Sequence, residues 1–290
     1  MRIVAIVASY NEELFIRSCI ENFLAQGVEV YLIDNESTDE TVAIAAEYLN
    51  HGLIRIERFP RQGVYRWQPI LRRKEEIVDE VKADWFIHAD PDEIRLPPHS
   101  GTTIAESLIE LDLAGFNAVN FKNFLFLPTV EAPDHEHRQF AETMLWYRYM
   151  EPSYPNQIKA WKRQNLSFTE RQRQLALGER VNTSIGLAAS GGHHVDFPGL
   201  KLAPYDFIMK HYQALSLRHA IRKYANKAYA PEEVERGWHG WKAIASAHNL
   251  RLPYQNEMYR FTSDDELNCS NPLKRTLLFV DAERKRGQDS

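Results

Sequence analysis

Two carboxylates two residues apart, Asp90 and Asp92, are the clearest chemical feature of the sequence. Pro91 stiffens the turn between them, so both side chains can be directed at one point. Such oxygen ligands suit Mg²⁺ or Mn²⁺, which often keep only one or two protein carboxylates and fill the other positions with water and substrate phosphates. Because the pair directly follows an apolar segment, Trp85 to His88, the sequence favours a divalent-cation site over a solvated turn.

Polar side chains that follow two earlier apolar runs could bind a nucleotide. Asp34 ends the run from Val28 to Ile33, and a carboxylate fixed there can accept hydrogen bonds from a nucleobase or from ribose hydroxyls. Tyr10 offers a ring face for base stacking, which contributes about 1–3 kcal/mol in single-strand binders. Structural roles remain open: Asn11 has the position of a helix N-cap, and Ser37 and Glu40 have capping-box spacing.

The elements that must position these residues alternate through the first 93 residues. Strands are predicted over 3–8, 28–33, 54–59 and 85–88, with helices from Asn11 to Gly27, from about 41 to 49 and from 68 to 81. Four strands alternating with three helices predict an α/β fold, with a doubly wound, mostly parallel sheet and helices on both faces. In such sheets ligands bind where the loops converge at the carboxyl ends of the strands.

The alternation loosens after Glu93. A helix is predicted over 102–113, strands over 116–121, 144–150 and 158–162, a strand ending at Tyr212, and helices over 217–228, over 231–247 and from Asn271-Pro272 onward. We therefore expect one domain over 1–215, with a nucleotide-binding half (1–95) and an acceptor half (96–215). Residues 216–290 are predicted to form a helical C-terminal extension packed on it.

Composition excludes several classes of protein. Thirty-five basic and 40 acidic side chains give a net charge of −5, so no domain-wide positive field exists for nucleic acid. Two distant cysteines, Cys19 and Cys269, indicate no disulfide framework. Without an apolar run of about 18 residues or a signal-peptide pattern, the chain is predicted to be cytoplasmic. A short basic tail, 284–286, offers at most weak contact with a membrane surface.

Three segments together resemble the N-terminal motifs of glycosyltransferase family 2, the inverting GT-A transferases. They are Val7 to Glu13, Ile33 to Thr41 and Trp85 to Glu93, and the resemblance covers roughly the first 95 residues. It implies a GT-A fold, a nucleoside diphosphate sugar donor, with a UDP-sugar favoured, and Mn²⁺ or Mg²⁺. It also implies inverting transfer to a hydroxyl acceptor, such as a growing surface glycan or a glycolipid.

The resemblance also implies roles for single residues. Tyr10 would stack on the base, with Asn11 beside it, Asp34 would hydrogen-bond the base, Asp90 would approach the ribose or metal, and Asp92 would coordinate the metal. Arg66 is the first choice for a basic contact to the nucleotide, with Arg72 and Lys74 as competitors. His211 is the first choice for a third metal ligand, with His193 and His194 as alternatives.

Two departures from the family pattern stand in the first two motifs. Ala8 occupies a position where some relatives have a threonine that contacts the nucleotide, and Glu36 replaces the commoner glycine of the second motif. The threonine contact is therefore expected to be lost, and the backbone geometry of the second turn is left open.

An inverting reaction needs a general base, a carboxylate about 3 Å from the acceptor hydroxyl. Family enzymes usually place it beyond the metal motif in a Glu-Asp pair, and the second half of this sequence has none. Glu179 is the first choice, and Asp196 and Glu142 are the alternatives.

Two other functions remain open. A sugar nucleotidyltransferase would be expected to carry a loop rich in glycine and lysine after the first strand, but residues 9–13 contain neither. A degenerate, non-catalytic protein that binds a sugar nucleotide or a partner is favoured by the missing Glu-Asp pair. Dinucleotide oxidoreductases, P-loop proteins and α/β-hydrolases lose support because their glycine-rich or nucleophile-elbow motifs are absent.

Overall fold

The N-terminal part of the computed structural model alternates strands and helices. The structure describes residues 1–152, 155–164, 185–225 and 227–280. Five strands and three helices come first: β1 (Ile3–Ser9), α1 (Ile16–Ala25), β2 (Glu29–Asp34), α2 (Thr41–Ala46), β3 (Leu53–Arg58), α3 (Trp67–Glu80), β4 (Trp85–Ala89) and β5 (Glu93–Leu96).

The rest of the chain adds strands and shorter helices. They are α4 (Ile104–Leu113), β6 (Ala118–Phe126), α5 (Phe140–Thr143), β7 (Trp146–Tyr149), β8 (Ile158–Lys162), β9 (Phe207–Tyr212), α6 (Leu217–Ala220), α7 (Pro231–Glu235) and β10 (Tyr259–Arg260). A π-helical turn, Ile221–Ala225, continues α6, and 3₁₀ turns lie at Gly240–Ile244, Gln255–Glu257 and Asp264–Glu266. None of the described helices has the length and apolar character that crossing a bilayer requires.

One large mixed sheet runs through the molecule. Its strand order is β10-β7-β6-β8-β4-β1-β2-β3, and β9 pairs with β5 and β6 beside this path. The strands β1 to β4 are parallel to one another, whereas β8 lies antiparallel between β4 and β6. The predicted α/β class, with a parallel sheet in the N-terminal half, is confirmed.

Helices cover both faces of the parallel strands. On one face, Ile16 and Phe23 of α1 and Leu108 of α4 join a buried cluster with β1, β2 and β4. On the other face, Leu71 and Ile77 of α3 pack in a second cluster. Because both faces are covered, β1 and β4 are continuous apolar runs.

Two predicted helix caps are wrong. Helix α1 begins at Ile16, and Asn11 has a φ of +54°, so it cannot start this helix. Its side-chain oxygen instead accepts the backbone N–H of Thr38 at 2.7 Å, while its own N–H donates to Ser37 Oγ at 3.0 Å. The Ser37–Glu40 capping box does not form, because Ser37 Oγ serves the first loop and α2 begins at Thr41.

The C-terminal helices are shorter than the patterns predict. Gly237, at a φ of +74°, separates α7 from the following 3₁₀ turn, which itself begins at a second positive-φ glycine, Gly240. No helix forms over 271–280, since Asn271 has a φ of +48° and Leu273 makes a β-bridge with Met150.

Candidate functional site

A cleft of about 440 Å³ opens at the carboxyl ends of β1 and β4. A smaller cavity of about 260 Å³ lies beside it and shares Tyr10, Glu12, Lys223 and Lys227 with it. The main cleft is walled by the loops after β1 and β4, by β8 and β9, and by the segment after α6. It therefore lies at the sheet edge where ligands bind in α/β folds.

Asp92, His211 and Lys223 meet in the wall of this cleft. The antiparallel pairing of β5 with β9 aligns Glu93 with His211, and His211 Nε2 lies 3.3 Å from Asp92 Oδ2. Lys223, on the π-helical turn, extends its Nζ to 2.9 Å from Asp92 Oδ2 and 3.0 Å from Glu12 Oε1. One ammonium group thus joins the loops after β1 and β4 to the C-terminal segment.

Burial and charge act in opposite directions on these acids. Burial disfavours the ionised form of Asp92, but the charges of Lys223 and His211 hold its pKa well below the usual range. For Glu12, burial prevails over the attraction of Lys223 and raises its pKa to about 7. Asp92 is therefore the permanently charged member of the pair, and Glu12 exchanges its proton near neutral pH.

Two of the three predicted metal ligands are adjacent. Asp90 lines the same cleft, with Oδ1 4.0 Å from Lys74 Nζ, and His193 lines it too. Residues 1–152, 155–164, 185–225 and 227–280 contain no group of three or more acids, histidines or cysteines placed to hold a metal ion. Asp92 and His211 still fit a cation held by two side chains, since Mg²⁺ and Mn²⁺ complete their coordination with water and phosphate oxygens.

The ring of Tyr10 is already in contact with an arginine side chain. The guanidinium carbon of Arg61 lies 3.6 Å from the ring centroid, and Arg61 Nη1 donates to Asn35 Oδ1 at 3.2 Å. Arg61 and Tyr10 both line the smaller cavity. Arg61 was not among the residues singled out from the sequence, because only the folded loop brings it over Tyr10.

Not all of the other residues predicted to bind the nucleotide line one of the two cavities. Asp34 is buried, and both its carboxylate oxygens accept the backbone N–H of Ser37, at 3.2 and 3.3 Å. Asn11 lines the smaller cavity, whereas Asp34 lines neither cavity. Arg66 lies outside both and pairs with the exposed Glu232 at 3.6 Å.

Neither of the described candidates for the general base lines the cleft. Glu179 lies outside the described residues, and Asp196 and Glu142 are exposed positions that do not line the cleft. Glu151, which follows β7, does line it, and its carboxylate is 3.9 Å from Lys274 Nζ. No motif surrounds Glu151 in the sequence, so the sequence alone does not single it out.

Comparison with known proteins gives one family match. The model described as glycosyl transferase family 2 matches residues 4–67. A curated relative, the lipopolysaccharide core biosynthesis glycosyltransferase LpsC of Rhizobium meliloti (strain 1021), is 28% identical over 90 residues, which are 31% of this chain and 31% of that protein. The chain thus aligns with about a third of the length of this relative.

Similar solved structures are distant. S. aureus TarS 1–349 superposes with a TM-score of 0.38 at 12% identity, over 84% of this chain and 71% of that one. Glucosyl-3-phosphoglycerate synthase from Mycobacterium tuberculosis, in complex with Mn²⁺, UDP and phosphoglyceric acid, gives 0.30 at 21% identity, over 42% and 43%. These scores are too low for any residue or activity to be carried over.

Proposed function

We propose that this chain, whose residues 4–67 belong to glycosyltransferase family 2, transfers a sugar from a nucleoside diphosphate sugar to a hydroxyl acceptor. The observation that carries the proposal is the position of Asp92. This buried carboxylate follows β4, opens on a large cleft and faces an ammonium group and an imidazole. A site that offers fixed positive and negative charges side by side suits a diphosphate and its counter-ion.

The cations around the smaller cavity suit the leaving diphosphate. Arg61, Arg222, Lys223 and Lys227 line this cavity together with Tyr10. When the bond between the anomeric carbon and the diphosphate breaks, negative charge grows on the diphosphate oxygens. Fixed cations stabilise that charge without reorganising at the moment of reaction.

Divalent-metal dependence is part of the proposal. Asp92 and His211 would hold Mn²⁺ or Mg²⁺, with Asp90 at the same cleft. The ion would supply further positive charge to the diphosphate. Lys223 must then leave Asp92 and turn its ammonium toward the diphosphate or Glu12, since it lies 2.9 Å from the same carboxylate oxygen.

Glu151 is the general base that we propose from the described part of the chain. It belongs to the acceptor half, lines the cleft and forms no hydrogen bond through its carboxylate within the described residues. There it would take the proton of the acceptor hydroxyl while the oxygen attacks the anomeric carbon from the face opposite the diphosphate. We expect Glu151→Gln to lower kcat by about 10²-fold or more with donor affinity unchanged. Glu142→Gln, outside the cleft, is the matched control.

Donor binding and hydrolysis test the transferase proposal. UDP, GDP, CDP and dTDP are titrated by thermal shift, each with and without Mn²⁺, against the wild type and Asp92→Ala. One nucleotide should raise the melting temperature in a manganese-dependent way, and Asp92→Ala should lose this effect, because ligands that bind only the native state stabilise it. Slow hydrolysis of a sugar donor built on the nucleotide that binds would exclude a degenerate binding protein. The proposal fails if no nucleotide binds.

A further inference from the structure

A buried lysine on β8 has no partner for its charge among the residues that the structure describes. Lys159 is 7% exposed and lines the main cleft. Its ammonium forms no ion pair or hydrogen bond with any residue in the described part of the chain, and the neighbouring carboxylate of Glu93 is bound to Arg95. Burying an unpaired ammonium is costly, so its retention points to a ligand that pairs with it.

Other basic groups line the same cleft as this lysine. The charge of Lys159 acts on His193 and Lys242, which line the same cleft, and Lys242 acts in turn on Lys227. Neither Lys227 nor Lys242 forms an ion pair among the residues that the structure describes, and each lies against an aromatic ring, Tyr65 and Tyr224 respectively. The cleft therefore contains three lysines without an ion pair among the described residues, and the carboxylates of Glu93 and Asp90 act on Lys159 from the same cleft.

The sheet order places Lys159 beyond the diphosphate region. Nucleotide residues follow β1 and β2, Asp92 follows β4, and β8 is the next strand outward. Because β8 is antiparallel to β4, with Ile87 aligned with Ala160, its first residues lie at the carboxyl end of β4. Neighbouring strands are about 4.8 Å apart. A sugar nucleotide whose base lies at the ends of β1 and β2 and whose diphosphate lies at Asp92 would therefore place its sugar beside Lys159.

We propose that Lys159, assisted by Lys242, forms a subsite for an anionic substituent, a carboxylate or a phosphate, on the sugar at the point of transfer. The inference rests on the proposed function and names the class of its substrate. The substituent belongs either to the transferred sugar or to the acceptor. In both cases it forms a charge-assisted hydrogen bond with Lys159 that a neutral sugar cannot form.

The test compares ligands that differ only in this charge. For the transferred sugar, UDP-glucuronate is compared with UDP-glucose. For the acceptor, glucuronate and glucose 6-phosphate are compared with glucose, with and without UDP. Affinities are measured by calorimetry on the full chain for the wild type, Lys159→Met, Lys159→Arg and Lys162→Met. Lys162 lies on the same strand, but its ammonium pairs with Asp112 outside the cleft, which makes it the matched control.

We expect the wild type to prefer the anionic member of one comparison by about tenfold or more, the usual effect of a hydrogen bond between charged groups. Lys159→Met should lose the preference, Lys159→Arg and Lys162→Met should keep it, and UDP affinity should change less than twofold in all variants. Lys159→Met should also melt at a higher temperature without ligand, because the unpaired buried charge is removed.

The outcomes separate this inference from the proposed function. Equal affinity for charged and neutral sugars in a wild type that binds UDP overturns the subsite and leaves the transferase proposal standing. Binding of glucuronate or glucose 6-phosphate through Lys159, in a chain that binds none of the four nucleotides, supports the subsite and overturns the transferase. A preference that survives in Lys159→Met also overturns the subsite.

Discussion

At the scale of single residues, the contact between the guanidinium of Arg61 and the ring of Tyr10 leads to a prediction about UDP affinity. Because Arg61 lines the smaller cavity and Arg66 does not, Arg61→Gln should weaken UDP binding by about tenfold, the usual loss for a hydrogen bond to a charged group. Arg66→Gln should change it less than twofold, since its guanidinium faces the exposed Glu232. Calorimetric titration of UDP into both variants measures this difference. A loss of affinity in Arg66→Gln as large as that in Arg61→Gln would contradict the prediction.

Residues of the site differ in how far the sequence predicts them. Asp92 and His211 are predictable as candidates because each lies at or just after the end of a recognisable strand, although it is the antiparallel pairing of β5 with β9 that brings them together. Arg61 and Lys159 are not predictable, because the role of Arg61 depends on its contact with the ring of Tyr10 and the role of Lys159 on a cleft formed by distant segments of the chain. A lysine inside the short strand from Ile158 to Lys162 was the available signal, since an inward-facing charge in a strand needs a reason.

At the scale of elements, the start of α6 contains a histidine that must stay neutral. Ser216 Oγ accepts the N–H of His219 at 2.9 Å, and His219 Nδ1 accepts the N–H of Leu215 at 3.1 Å. Burial, and then the charges of Lys223 and Arg222, lower the pKa of His219 to about 3. A proton on Nδ1 would remove the acceptor and break this reciprocal cap.

The pKa of His219 predicts acid destabilisation of a definite sign. Between pH 6.5 and about 3 the unfolded chain binds this proton and the folded chain does not, so the free energy of unfolding falls as the pH falls. In His219→Asn, whose amide oxygen can replace Nδ1, the loss of stability between pH 7 and 5.5 should be about 1 kcal/mol smaller. Urea unfolding at both pH values measures it.

The exposed His248→Asn is the control for this experiment and should leave the pH dependence as it is in the wild type. An unchanged slope in His219→Asn would show that other buried histidines, such as His88 and His135, account for the acid destabilisation.

The positions of the elements are predictable where the pattern of apolar residues is regular, whereas the residues that cap the helices are not. The strands β1, β2 and β4 and the helix α3 were found within one or two residues, because burial on both faces or on one helix face leaves a regular pattern. The cap roles predicted for Asn11 and Ser37 are wrong. Their side chains bond each other's loops across the sheet edge, and no local pattern distinguishes such a bond from a cap.

At the scale of the whole molecule, the segment after Leu215 completes the fold. Leu125 of β6 and Leu127, which follows this strand, share a buried cluster with Tyr224, Leu250 and Leu278, and β10 pairs with β7. We expect the full chain to unfold in one thermal transition. A chain of residues 1–215 should lack a cooperative transition and aggregate, because it exposes this cluster. Calorimetry and light scattering test this, and a cooperative transition in 1–215 would contradict it.

The bridge that Lys223 makes between Glu12 and Asp92 has a consequence for the order in which ligands bind. A tethered ammonium competes with free ions at a fixed, high effective concentration, so Mn²⁺ alone should bind weakly. A diphosphate gives the displaced ammonium a new counter-charge, and each ligand then helps the other to bind. Mn²⁺ and UDP should therefore show positive, reciprocal coupling of fivefold or more. The coupling should shrink in Lys223→Met, in which the site is left open to the ion from the outset.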